Sequence, residues 1–153
     1  MTVFPAERLQ ARAIALGFNG VGITRADPAP TLDAYLSWID AGYHAEMGYM
    51  ARPDRIARRR DLNVILPRAQ SMIIVALDYH ALNIPDDLLH DPARGRFAAY
   101  AWGVDYHDIM TPRLEALAAW LRDEAHVDVA HRVYVDTGAV LERSHGQQAG
   151  LGF

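Results

Sequence analysis

Between Ser71 and Asp78 the chain reads Ser-Met-Ile-Ile-Val-Ala-Leu-Asp. A short, unbroken apolar run rich in β-branched residues fits a strand covered on both faces; a strand with one wet face would alternate polar and apolar. Something must therefore pack on each side of it, and the flanking sequence supplies helices. Pro5 suits a first helical turn, Leu9, Ala13 and Leu16 recur on one face, and Gly17 ends the pattern. Gly20–Thr24 reads as a second strand. Helical spacing returns from Thr31 to Ile39 and stops at Gly42, and 43–50 reads as a helical turn trailed by the arginine cluster Arg52–Arg60. Residues 80–96 hold Asn83, Pro85, Asp86, Asp87, Pro92 and Gly95, a polar connection with turn chemistry. Asp105-Tyr106-His107 opens a long helical pattern through Leu114, Leu117, Ala118 and Leu121, in which Pro112 either kinks the helix or starts another capped by Thr111. Val133–Val135 reads as a further strand ending at Asp136-Thr137-Gly138, and helical spacing resumes through Val140, Leu141 and Ser144. Helix and strand alternate, so the expected class is α/β, a central sheet with helices packed on it.

Composition narrows the chemistry. The 153 residues include no cysteine, which rules out disulfides, thiol nucleophiles and cysteine-held iron–sulfur clusters within them. All fifteen basic residues are arginine, so there is no Schiff-base lysine and no phosphate-loop lysine. The formal net charge of −4 gives no basic footprint spread over the whole surface; only Arg52–Arg60 is locally basic. No apolar stretch approaches the roughly 20 residues of a membrane span, and Met1–Pro5 does not resemble a secretory leader. The expectation is a soluble cytoplasmic monomer of one domain, residues 1–153.

The seven histidines are scattered and form no His-Glu-x-x-His pattern, so no protein-ligated metal is expected. Asp136 stands out because it lies where a strand ends and a helix is expected to begin, the edge at which α/β sheets gather ligand and catalytic groups. The same position also suits an aspartate that merely caps the next helix. Tyr106 and His107 are open to the same plain reading, as residues pinning a helix start, and Trp102 reads as core.

Asp136-Thr-Gly-Ala-Val-Leu-Glu-Arg143 followed by Gln147-Gln-Ala-Gly-Leu-Gly-Phe153 resembles the signature segment of the epoxyqueuosine reductase family. Ala101-Trp-Gly-Val-Asp-Tyr-His107 is similar to that family's aromatic-Gly-x-Asp-Tyr-His motif, and Ile65-Leu-Pro67 through Asp78 to its Leu-Pro turn and apolar strand. Gly17–Thr24 and Gly42–Met47 resemble its N-terminal pieces, so the likeness runs in order from about residue 5 to the last residue.

The resemblance implies a fold like the cobalamin-binding domain of epoxyqueuosine reductases and reductive dehalogenases. It implies a following ferredoxin-like domain whose 4Fe-4S clusters feed electrons to cobalamin, a domain lying past the point where this sequence stops. The implied reaction removes the epoxide oxygen of epoxyqueuosine at the tRNA wobble position, with tRNA as partner. Asp136 matches the family's proton donor. Arg59, Tyr106, His107, Thr137 and Arg143 match positions around the corrin or the modified base. The rival expectation is a cobalamin or flavin carrier without reductase activity.

Overall fold

In the computed structural model, which describes residues 5–80, 83–126 and 129–152, a small sheet lies between two helical layers. Met1–Phe4 and Phe153, which figured in the leader and signature readings, lie outside the described residues. Helix α1 spans Ala6–Ala15 and stops at Gly17. Strand β1 (Gly20–Arg25) pairs antiparallel with β2 (Ser71–Ala76), setting Val21 opposite Val75, Gly22 opposite Ile74 and Ile23 opposite Ile73.

The apolar run from Met72 is sandwiched as its composition requires. On one face Val21, Ile73 and Val75 pack against a core of Leu9, Ala13 and Phe18 from the α1 region and Leu117 from α5 (Tyr106–Ala125). On the other face lies α6 (Glu142–Gln148), and Gly22 lets it approach: a Cβ there would lie 2.4 Å from the carbonyl oxygen of Ala149. Burial of this kind stabilises by about 25 cal/mol per Å² of apolar surface removed from water. It is what holds a sheet of two strands, too small to stand alone in water.

Three helices complete the frame: α2 (Leu32–Asp40), α3 (Pro53–Arg60) and the short α4 (Asp86–Leu89). The arginine cluster thus forms a helix in its own right. Pro53 sits in the first turn, Asp54 lies near the positive end of the helix dipole, and Arg58, Arg59 and Arg60 lie near its negative end.

Pro112 lies inside a single continuous α5, which neither ends nor restarts there. The absent proline N–H costs the helix one bond, while Asp105 caps the start by accepting from the His107 N–H at 2.9 Å. Trp102 is half-buried and outside the core. The strand expected at Val133–Val135 does not form. That segment and β2 line one open groove of about 710 Å³, with Met72, Ile74, Val133 and Tyr134 among its walls, and the sheet of β1 and β2 does not take it in as a third strand. No helix among the described residues is long and apolar enough to cross a membrane.

Candidate functional site

The segment leading out of that groove ends in a bend. Val135 is buried, Asp136 and Thr137 are exposed, and Gly138, Ala139 and Val140 are buried again. The loop is an exposed two-residue tip on buried feet. Within it the Thr137 N–H donates to the Val135 carbonyl at 2.6 Å, with Asp136 between them at φ +57. A three-residue turn with a positive central φ is the rare, strained γ form, and strain of that kind survives only where the surroundings impose it. Helix α6 starts only at Glu142, with Leu141 as its N-cap residue, so Asp136 caps no helix.

The surroundings are specific. The Tyr106 hydroxyl, from the first turn of α5, donates to Asp136 Oδ2 at 2.9 Å. This bond, and the carboxylate charge behind it, push the Tyr106 pKa above the usual phenol value, so the group stays a donor. The His107 ring stacks on Tyr106 with centroids 4.2 Å apart, and Tyr100 meets Tyr106 edge-on at 6.4 Å. Asp105, its carboxyl held low by the His107 N–H and then by the ring, accepts from His107 Nδ1 at 2.8 Å. With Nδ1 given to Asp105, the ring's other nitrogen, Nε2, is buried with no partner among the described residues.

Behind the loop sit two groups of opposite charge. Arg59 of α3 is 8% exposed, with its guanidinium 4.8 Å from the centre of the Tyr35 ring. Glu142 carries a buried Oε1 without a partner among the described residues. Burial raises its pKa against the bond from its own backbone N–H, and the charge of Asp136 raises it further while Arg59 lowers it. Arg55, one turn before Arg59, donates from Nη1 to the Thr137 carbonyl at 2.8 Å.

The structure thus brings together Asp136, Thr137, Tyr106 and His107. Arg59 is buried over the Tyr35 ring and acts electrostatically on Glu142, and Arg143 is exposed on α6. Asp136 itself is exposed, so the protein side chains alone do not enclose it. Sequence reasoning passed over Arg55, Gly138 and Glu142. Nothing in the sequence distinguishes Arg55 from the other arginines of α3, and Glu142-Arg143 is too common a pair to single out. Among the described residues no three His, Asp or Glu side chains converge as a metal would require.

The family profile described as epoxyqueuosine reductase QueG, DUF1730, matches residues 59–137, from Arg59 through the Asp136 turn. The chain belongs to the epoxyqueuosine reductase family. The epoxyqueuosine reductase of Synechocystis is 42% identical over 117 residues, covering 76% of this chain and 38% of its own length. That of Gloeobacter violaceus is 40% identical over 153 residues, covering 97% of this chain and 44% of its own. The chain thus spans less than half the length of these relatives.

Solved epoxyqueuosine reductases share the fold. One, crystallised with an epoxyqueuosine-modified tRNA-Tyr stem loop, matches with a TM-score of 0.77 at 28% identity, covering 97% of this chain and 38% of that one. Another, from Bacillus subtilis, matches with a TM-score of 0.75 at 28% identity over the same shares, and its catalytic aspartate loop is swung out of the active site.

Proposed function

We propose that this chain is the cobalamin-binding part of a tRNA epoxyqueuosine reductase, with Asp136 as the proton donor. The observation that carries the reading is the Asp136 turn: a carboxylate on a strained, exposed tip, aimed by the phenol of Tyr106. Strained backbone of this sort gathers where chemistry needs a fixed geometry. The match to a relative crystallised with a modified tRNA stem loop supports tRNA as the partner.

The residues around the turn suit a corrin. Buried Arg59 Nε, a donor, and His107 Nε2 lack partners among the described residues, and a corrin's amide arms carry both donors and acceptors to meet them. His107, Tyr106 and Thr137 would hold the cofactor's edge. Arg59 would hold α3 in place from beneath, and exposed Arg143 would reach an outer arm. When bound, cobalamin supplies two electrons through its metal.

The remaining chemistry falls to the side chains. Reductive loss of an epoxide oxygen as water consumes two electrons and two protons and leaves a carbon–carbon double bond. Tyr106 occupies one oxygen of Asp136, so the proton rides on the other and passes to the epoxide oxygen as its first C–O bond opens. The second proton, delivered as the oxygen departs, reaches an exposed Asp136 from solvent. On this reading the electrons enter from 4Fe-4S clusters in a further, ferredoxin-like domain. The loop would have a held and a swung-out position, like the swung-out catalytic loop of the Bacillus subtilis relative.

Asp136→Asn in a full-length enzyme carrying this domain tests the role. Asparagine keeps the turn, because it tolerates positive φ as aspartate does. Cobalamin binding, read by visible spectroscopy, should persist, while turnover of an epoxyqueuosine-containing stem loop should fall by about 100-fold or more. Unchanged turnover would remove the donor role.

A further inference from the structure

The strained turn at Asp136 does not hold itself. Its tip is exposed, its internal bond spans three residues, and its central φ is one that side chains resist. Two bonds from outside the loop reach that tip among the described residues. One, from Tyr106, grips the carboxylate and so depends on the state of the acid. The other, from Arg55 Nη1, grips the Thr137 carbonyl at 2.8 Å and joins positions 82 apart in the chain.

We propose that Arg55 is the latch of the Asp136 loop: a positioning residue that holds the acid in place through the Thr137 backbone and touches neither substrate nor carboxylate. The inference rests on the reading of Asp136 as proton donor for its importance to turnover, though not for its geometry.

Three features fit Arg55 to this task. Its donor is permanently charged, so its grip does not change with pH. Its helix is anchored, because Arg59, one turn on, is buried with its guanidinium over the Tyr35 ring of α2. Its target is well chosen, since the Thr137 N–H is already committed to the turn, and the carbonyl is the free handle on the same residue. α3 thereby sets where the acid stands, a role its arginine-rich sequence does not announce.

Hydrogen–deuterium exchange on the full chain tests this, comparing wild type with Arg55→Met and Arg55→Lys. Methionine keeps the apolar stem and removes every donor. Exchange of the amides in residues 137–141 should quicken roughly tenfold or more in Arg55→Met, as expected for loss of a charge-assisted bond. The amides of α1 and β2 should keep their rates. Lysine can still donate to a single carbonyl, so Arg55→Lys should recover most of the protection.

Unchanged loop exchange in Arg55→Met overturns the latch. So does quickening spread evenly over α1, β2 and the loop, which would make Arg55 a general prop of the fold. In a full-length enzyme, Arg55→Met should lower kcat and leave KM for the RNA within about twofold; a change confined to KM overturns the positioning role. Should Asp136→Asn retain turnover, the donor reading fails, and the exchange result still stands or falls by itself.

Discussion

Gly138→Ala puts the Asp136 loop under a defined load. A Cβ at residue 138 would lie 2.6 Å from Cγ of Tyr134, 2.8 Å from Cδ2 and 3.0 Å from Cβ. Ordinary contact begins near 3.4 Å, so the shortfall at Cγ is about 0.8 Å. Two of the obstructing atoms are at the base of the Tyr134 side chain, where turning the ring brings little relief. The backbone of one segment or the other has to move. Gly138 is not at a positive φ, so alanine adds this clash and no torsional penalty. Overpacking of this kind costs about 1–3 kcal/mol, a level at which the domain still folds. A shift of about 1 Å at a catalytic group can cost on the order of 100-fold in rate. The assay pairs urea denaturation of the chain with single-turnover kinetics of a full-length enzyme on an epoxyqueuosine-containing stem loop. A folded variant with a wild-type chemical step would refute the claim that the loop's exact position matters.

Tyr106→Phe keeps the ring stacked on His107 and removes the hydroxyl that aims Asp136. For a half-exposed bond to a carboxylate, about 1 kcal/mol is expected, read as a roughly fivefold fall in kcat; an unchanged kcat would deny Tyr106 its aiming role. Glu142→Gln addresses the buried acid behind the loop, where burial and Asp136 raise the pKa and Arg59 lowers it. A raised folded pKa favours the fold below the ordinary glutamate range, and that advantage is lost as pH climbs through the folded value. The glutamine variant should therefore gain stability relative to wild type as pH rises from about 4 to 8, by on the order of 1 kcal/mol. Chemical denaturation across that range measures it, and parallel curves would show that the carboxyl carries no burial penalty.

Much of the architecture was legible because it rests on local pattern. The apolar run from Met72 required cover on both faces and has α1 with α5 on one and α6 on the other. Leu9 and Ala13 at helical spacing marked a buried face, and both are in the core. Where the reading failed, a non-local fact decided. Val133-Tyr-Val135 has the composition of a strand, yet a strand exists only where a partner pairs with it, and the sheet of β1 and β2 does not. Asp136-Thr-Gly looked like a helix start, but burial of Gly138, Ala139 and Val140 postpones the helix to Glu142. Pro112 suggested a break, and tertiary packing of Leu114 and Leu117 carries α5 through it. At the site, Asp136, Tyr106, His107 and Thr137 share motifs that a linear reading can find. The bond from Arg55 crosses 82 positions, and no spacing rule foretells it.

The positive φ of Asp136 limits which substitutions there can be interpreted. Glutamate would preserve the acid yet demand a torsion it resists and a reach one methylene longer, so its failure would say nothing about acidity. Any β-branched replacement would be an outlier there, at a cost of about 1–2 kcal/mol or more. Aspartate and asparagine enter that region at less cost than other side chains, which makes residue 136 a place where main-chain geometry, ahead of reactivity, decides how the position can vary.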